Sequence, residues 1–399
     1  MAGATAGGCR IHAVGTAHSF SDVADSDGLL LSTKHLNRIH GLGYGGNTHQ
    51  VSIEPGVRYG ELGTYLHSER RSLANLASLP HVSVGGAVAT ATHGSGDHNG
   101  SLACAVRSID LMLSTGDIVS FDRSHPHFDG IVVGLGALGV VVGLSLHTEP
   151  TFDVAQTVYV GLPLEAGLAN FDAIMGSAYS VSWFTRWLDD VVDQVWSKAV
   201  VTGVSVRDGL SEGLDFCQFG ATRARIPMHP VPGADEGACT EQFGVAGPWH
   251  ERLPHFRLAH TPSSGDELQT ELFVDRAVVA DAARALAAIG PQIAPALLVS
   301  EVRTIAADHL WLSPAYERDV VGFHFTWRSD WTPVQPALAA VERALAPFDP
   351  VPHWAKVTGL SPAVVRSRLP GFDRFSALLG IYDPDRVFAN PFLDRLITA

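Results

Sequence analysis

Between Cys9 and about residue 160 the apolar residues come in short β-type runs punctuated by glycine: RIHAVG, GLLLS, HQVSIEPG, VRSIDLMLSTGDIVSF and VVVGLSLHTEP. Runs this short suit strands, and glycine ends them because it alone takes tight-turn backbone without steric cost. A domain of many short strands with few helices follows. Its one helical stretch, VRYGELGTYLHSERR, opens after Pro55-Gly56 and ends in a basic cluster that suits the negative end of a helix.

From 161 to 345 the pattern changes. Candidate helices GLANFDAIMGSAYS and RAVVADAARALAAIG alternate with strand runs ALLVSEVRTIAAD and VVGFHFTWR. The segment TRARIPMHPVPGADEGACTEQFGVAGPWHERLPHF is rich in Pro, Gly and His without periodicity, which predicts a long ordered excursion. After residue 346 come a helix-like VVRSRLPGFDRFSALLG and then YDPDRVFANPF, whose aromatics and prolines suit docking back onto a core. At 399 residues the chain exceeds what one core usually serves. The expected fold is α+β with two domains, 1–160 and 161–345, and a tail 346–399 that returns to the first.

Lys plus Arg number 27 against 41 Asp plus Glu, a net charge of −14 that repels phosphate backbones and anionic lipid. Nucleic acid and membrane are therefore not expected partners. Cys9, Cys104, Cys217 and Cys239 are widely spaced with no CxxC pair, so neither a disulfide framework nor a metal site is expected. No signal peptide or spanning stretch stands out, and the expectation is a soluble, cytoplasmic monomer.

Gly134, Gly136 and Gly139 in GLGALG match the spacing of a dinucleotide fingerprint. The fingerprint works only where a strand turns into a helix that holds pyrophosphate, and here a β-branched run follows. The reading is a tight turn, with no nicotinamide nucleotide.

Two other stretches, AVGTAHSFSD (13–22) and LASLPHVSVGGAVATATHGSGDHNGS (76–101), consist mainly of small residues. Small side chains expose backbone N–H groups and hydroxyls that can ring a large polar ligand without fixed positive charge. Turn-rich connections have the same composition, and a lone His18 in such a loop can equally be a structural hydrogen-bonder.

Residues two apart on a strand share a face, so Glu301 pairs with Arg303, His324 with Thr326, and Gln269 with Glu271. Polar pairs inside apolar strands are either buried ion pairs or the lining of a site. His353 and Lys356 lie one turn apart beside Trp354.

GTAHSF, LASLPHVSVGGAVATATHGSG and GALGVV together resemble the FAD-binding domain of vanillyl-alcohol-oxidase-type (PCMH-type) flavoproteins, and most closely the alditol/xylitol oxidases. The segments EVRT and HFTW, in an expected α+β cap with an antiparallel sheet, and HWAK in the tail match a set that this family shows in the same order. The resemblance implies FAD joined covalently to His18 and cradled by Val14, Gly15, Thr16, Ala17 and Ser19. Ser78, Ser83, Gly86, Ala87, Val88, Ala89, Thr92, His93, Gly139, Val141, His353 and Asn390 would complete the cradle.

The same resemblance implies substrate contacts from Ser78, Gln269, Glu301, Arg303, Thr326 and Lys356. His324, Arg303 and Lys356 would be catalytic, with His324 the base beside Arg303, and Arg303 and Lys356 are expected to serve the site rather than structural pairs. The implied reaction oxidises the primary alcohol of a small polyol to the aldose, with O2 reduced to hydrogen peroxide. The alternatives are a sugar-1,4-lactone oxidase or dehydrogenase, or a non-catalytic remnant. Relatives of this kind carry a further strand and helix before the GxxHSF loop, so partial flavin loading is expected of the short N-terminus.

Overall fold

The structure is a computed structural model that describes residues 8–43, 46, 49–202, 214–260 and 267–398. In the N-terminal part, a five-stranded antiparallel sheet runs in the order Ile39–Leu42, Gln50–Ile53, Val140–His147, Val106–Met112, Ile118–Asp122. Beside it lies a parallel pair, Ile11–Val14 with Leu29–Ser32. Alternate residues of the sheet, among them Val51, Ile53, Ile109 and Leu144, are buried with Leu62 and Leu66 of helix Tyr59–Ser68. Helices Phe372–Tyr382 and Pro391–Thr398 send Phe372, Phe375 and Leu393 into the same core, so the tail belongs to this layer.

The second part is built on a nine-stranded sheet. Its central strands, Ser180–Thr185, Leu297–Ile305, Val320–Arg328 and Glu267–Asp275, are antiparallel neighbours in that order. One face carries Leu272, Val302, Phe323 and Phe325 into a core closed by helices Val279–Ala288 and Trp331–Leu345. The opposite face carries the polar pairs and turns toward the first domain. Strand Asp153–Pro163 already lies in this sheet, so the boundary drawn at 160 falls inside a strand whose run DVAQTVYV has no breaker.

GLANFDAIMGSAYS forms two short helices, Leu164–Ala169 and Phe171–Met175, where one was expected. Asn170 divides them because its amide donates back to the Ala166 carbonyl at 2.8 Å, competing with the backbone pattern. The tail helix likewise splits at Pro370-Gly371. GLGALG is a turn, with Leu135 at φ 52° and Gly136 at φ 73°, and it feeds strand Val140–His147 directly.

Candidate active site

Strand register assembles the polar pairs. Glu301 stands opposite His324, which stands opposite Glu271 on the next strand, and Gln269 stands opposite Thr326. Arg303 stands opposite Gly322. These side chains form the floor of a cavity of about 550 Å³, whose other walls are residues 12–19, parts of 77–93 and the 131–141 turn.

The charges on the floor are buried and matched. Arg303 donates from Nη2 to Glu271 Oε1 at 2.6 Å, and its Nε lies 3.6 Å from Glu301 Oε2. Burial alone would raise the pKa of both carboxyls, but Arg303 and the neighbouring histidines outweigh it and hold both below the usual carboxylate range. Arg303 is therefore part of an ion-paired network as well as a cavity residue, which corrects the expectation that it serves the site alone.

His324 Nε2 lies 3.2 Å from Gln269 Oε1, and Lys356 Nζ donates to that same oxygen. An oxygen accepts, so His324 carries its proton on Nε2 and leaves Nδ1 as the acceptor. Burial, joined by the positive charges of Lys356 and Arg303, pulls His324 down to about 3 against the opposing pull of Glu271 and Glu301. The ring is neutral at physiological pH. Burial also takes Lys356 down to about 8.

On the facing wall the loop after strand Ile11–Val14 is stitched to the segment that carries Lys356. Phe20 N donates to Ala355 O at 2.7 Å, Ser21 Oγ donates to Trp354 O at 2.6 Å, and Lys356 Nζ sits 4.8 Å over the Phe20 ring. Ala17 takes a left-handed φ of 54°, turning the loop at His18. Burial, Lys356 and His81 lower His18 to about 4, so this ring too is neutral.

An FAD-binding-domain family model matches residues 1–122, and a D-arabinono-1,4-lactone oxidase model matches residues 274–396. The chain is 45% identical to an alditol oxidase from a Streptomyces species over 382 residues, 95% of this chain and 89% of the relative.

The chain belongs to the alditol oxidase family.

An L-gulono-1,4-lactone dehydrogenase of Mycobacterium tuberculosis is more distant, at 28% identity over 98% of this chain and 91% of its own. A xylooligosaccharide oxidase from Myceliophthora thermophila shares the fold with TM-score 0.75 at 14% identity, covering 97% of this chain and 87% of that one. A cholesterol oxidase from B. sterolicum does so with TM-score 0.75 at 15% identity, over 99% and 90%. This alditol oxidase family member is thus a two-domain α+β flavoprotein that takes FAD.

The cavity walls fit the cofactor. Ser83 Oγ is buried without a partner, and a side-chain carbon on Gly15 would lie 2.2 Å from it. Only glycine at 15 lets the loop come down on that hydroxyl, where a polar ligand can meet it. Val14 to Ser19, Ser78, Ser83, Gly86, Ala87, Ala89, Thr92, His93, Gly139, Val141 and His353 all line the cavity, as do Gln269, Glu301, Arg303, His324, Thr326 and Lys356.

Val88 and Asn390, expected in the cradle, do not line the cavity. Val88 points into the core of the first domain, because the helix Val84–Ala89 turns alternate faces away from the cavity. Asn390 is fully buried elsewhere, donating to Val23 O at 3.0 Å and Asp25 O at 2.8 Å while accepting from Leu393 N.

Sequence reading missed His12, whose ring lies under Gly136, and His255, which lines the cavity beside Glu301 with Lys198 behind it. His93, Glu271 and His353 bring three potential metal-ligating atoms within 4.8 Å of one another, but Arg303 already supplies the cation that Glu271 needs. Among the described residues no helix is long and apolar enough to cross a membrane.

Proposed function

We propose that this protein oxidises the primary alcohol of small alditols such as xylitol and sorbitol to the aldose, with O2 as acceptor and hydrogen peroxide as product. The observation that carries the reading is the row Glu301–His324–Glu271 with Arg303, Gln269, Thr326 and Lys356 around it. A chain of vicinal hydroxyls needs donors and acceptors at fixed spacing. This floor offers two carboxylates, a guanidinium, an ammonium, an amide and a hydroxyl on one face.

FAD, when bound, takes the hydride from the alcohol carbon and passes the electrons to oxygen. Its attachment is assigned to His18: a neutral imidazole keeps the lone pair that a covalent bond to the flavin ring requires, and the Ala17 turn presents the ring at the cavity wall. His324 Nδ1 receives the hydroxyl proton. The flanking Glu271 and Glu301 stabilise the imidazolium so formed, and Arg303 and Lys356 oppose negative charge building on the substrate oxygen.

The test is peroxide formation on xylitol, sorbitol and L-gulono-1,4-lactone at equal concentration. Turnover of the alditols well above the lactone supports the reading. The reverse order assigns the protein to lactone oxidation.

A further inference from the structure

Behind Glu301, on the side away from Arg303, the cap domain buries a lysine and a histidine. Lys198 and His255 are 1% and 4% exposed. Lys198 Nζ faces three acceptors, the carbonyls of Leu253 at 2.5 Å and Pro254 at 3.0 Å and His255 Nδ1 at 3.1 Å. Three acceptors match the three N–H donors of an ammonium, so His255 Nδ1 must carry the lone pair. Its proton is then on Nε2, which donates to Glu301 Oε1 at 2.8 Å.

We propose that Lys198 and His255 are positioning residues that act through Glu301, fixing its carboxylate as a pure acceptor aimed at a hydroxyl of the polyol chain. Glu301 sits between His255 on Oε1 and Arg303 on Oε2, and no donor on either side can turn to accept. The substrate at this corner must therefore donate, as a hydroxyl does.

The chain His255–Glu301–Arg303–Glu271 alternates donor and acceptor across the floor, and Lys198 anchors one end from a strand, Val191–Thr202, that does not reach the cavity. His255 comes from the aperiodic 222–256 excursion, held by its backbone N–H donating to Ser78 O at 3.1 Å. The excursion thus brings His255 to Glu301 and supplies other cavity walls, among them His229, Val231 and Phe256. Desolvation lowers Lys198 to about 7 against the opposing pull of Glu301, and lowers His255 to about 4.

This inference rests on the alditol reading of the site. It is tested with His255→Leu, His255→Gln and Lys198→Met, measuring KM and kcat for xylitol beside thermal melting and flavin content. Losing a hydrogen bond that orients a charged acceptor should raise KM about tenfold or more in His255→Leu, with kcat within about threefold. Gln can accept from Lys198 and donate to Glu301, so His255→Gln should recover most of that KM at a similar melting temperature.

If Lys198→Met does not fold, the His255 pair carries the test alone. An unchanged KM in His255→Leu, or KM and kcat falling together with no recovery in His255→Gln, overturns the proposal. Should the wild type oxidise a 1,4-lactone and not xylitol, the alditol reading fails, and the same variants are read on the lactone, where an unchanged KM again overturns the positioning role.

Discussion

Arg303 stands directly across the strand pair from Gly322, and the side chain missing at 322 is what lets its guanidinium reach Glu271 at 2.6 Å. A carbon added at Gly322 would lie 3.1 Å from Glu271 Oε1 and 3.0 Å from the Phe273 ring. Neither neighbour can retreat, since both are buried. Gly322→Ala should therefore displace the pair and lower kcat/KM for xylitol by about tenfold to a hundredfold, with a loss of about 1–3 kcal/mol of stability from overpacking. Steady-state kinetics beside a denaturant melt checks both numbers.

Arg303→Ala should harm folding and turnover together. Two buried carboxylates lose their shared cation, which costs about 3–5 kcal/mol, and the transition state loses its main positive charge, worth about two to three orders of magnitude in kcat. Thr326 is half-buried and its side chain joins no ion pair among the described residues, so Thr326→Ala should raise KM while moving the melting temperature little. Equal melting temperatures for the two variants would count against the ion-paired floor.

Acid should destabilise the protein earlier than carboxylate titration alone would. His324 is lowered from 6.5 to about 3 and His255 from 6.5 to about 4, so the folded state binds fewer protons than the unfolded chain in that window. Stability is full above about 6.5 and is lost as the pH falls from there toward the folded values, at about 1.4 kcal/mol per pH unit for each ring. Glu271 and Glu301, held below their usual value, add loss of the same sign at lower pH. His324→Gln should flatten the stability curve between pH 6.5 and about 4 by one ring's share. An unchanged slope would mean that His324 is not buried neutral.

Asn390→Ala should cost stability and leave flavin chemistry alone. Its amide donates to the buried Val23 carbonyl and to the Asp25 carbonyl and caps the last helix, so about 2–4 kcal/mol is at stake. Flavin content per folded molecule should match wild type; a selective loss of flavin would return Asn390 to the cofactor site.

Period-two alternation made Glu301 with Arg303 and His324 with Thr326 legible from sequence, because each pair lies within one strand. What the pairs do to each other was not legible. Arg303 meets Glu271 only through the register of two strand pairings, and His255 meets Glu301 from a loop with no periodicity to place it. Val88 and Asn390 show the complementary failure: a motif locates a loop or helix, but side-chain direction depends on which turn of the backbone faces the cavity. The tight turn at GLGALG was legible because a β-branched run cannot continue as the required helix.

The attachment at His18 has its own check. Acid-precipitated wild-type protein should stay yellow, and His18→Ala should release any flavin it binds into the supernatant. Flavin that stays with the pellet in the variant would place the bond elsewhere.

On the proposed reading, this floor binds an alditol so that its alcohol carbon is oxidised by FAD. Anaerobic mixing of the purified flavoprotein with xylitol tests it most directly, because oxygen, turnover and product release are all removed. The expected result is complete bleaching of the flavin's visible absorbance by xylitol, much faster than by L-gulono-1,4-lactone. A flavin that stays oxidised with xylitol and bleaches with the lactone would contradict the account.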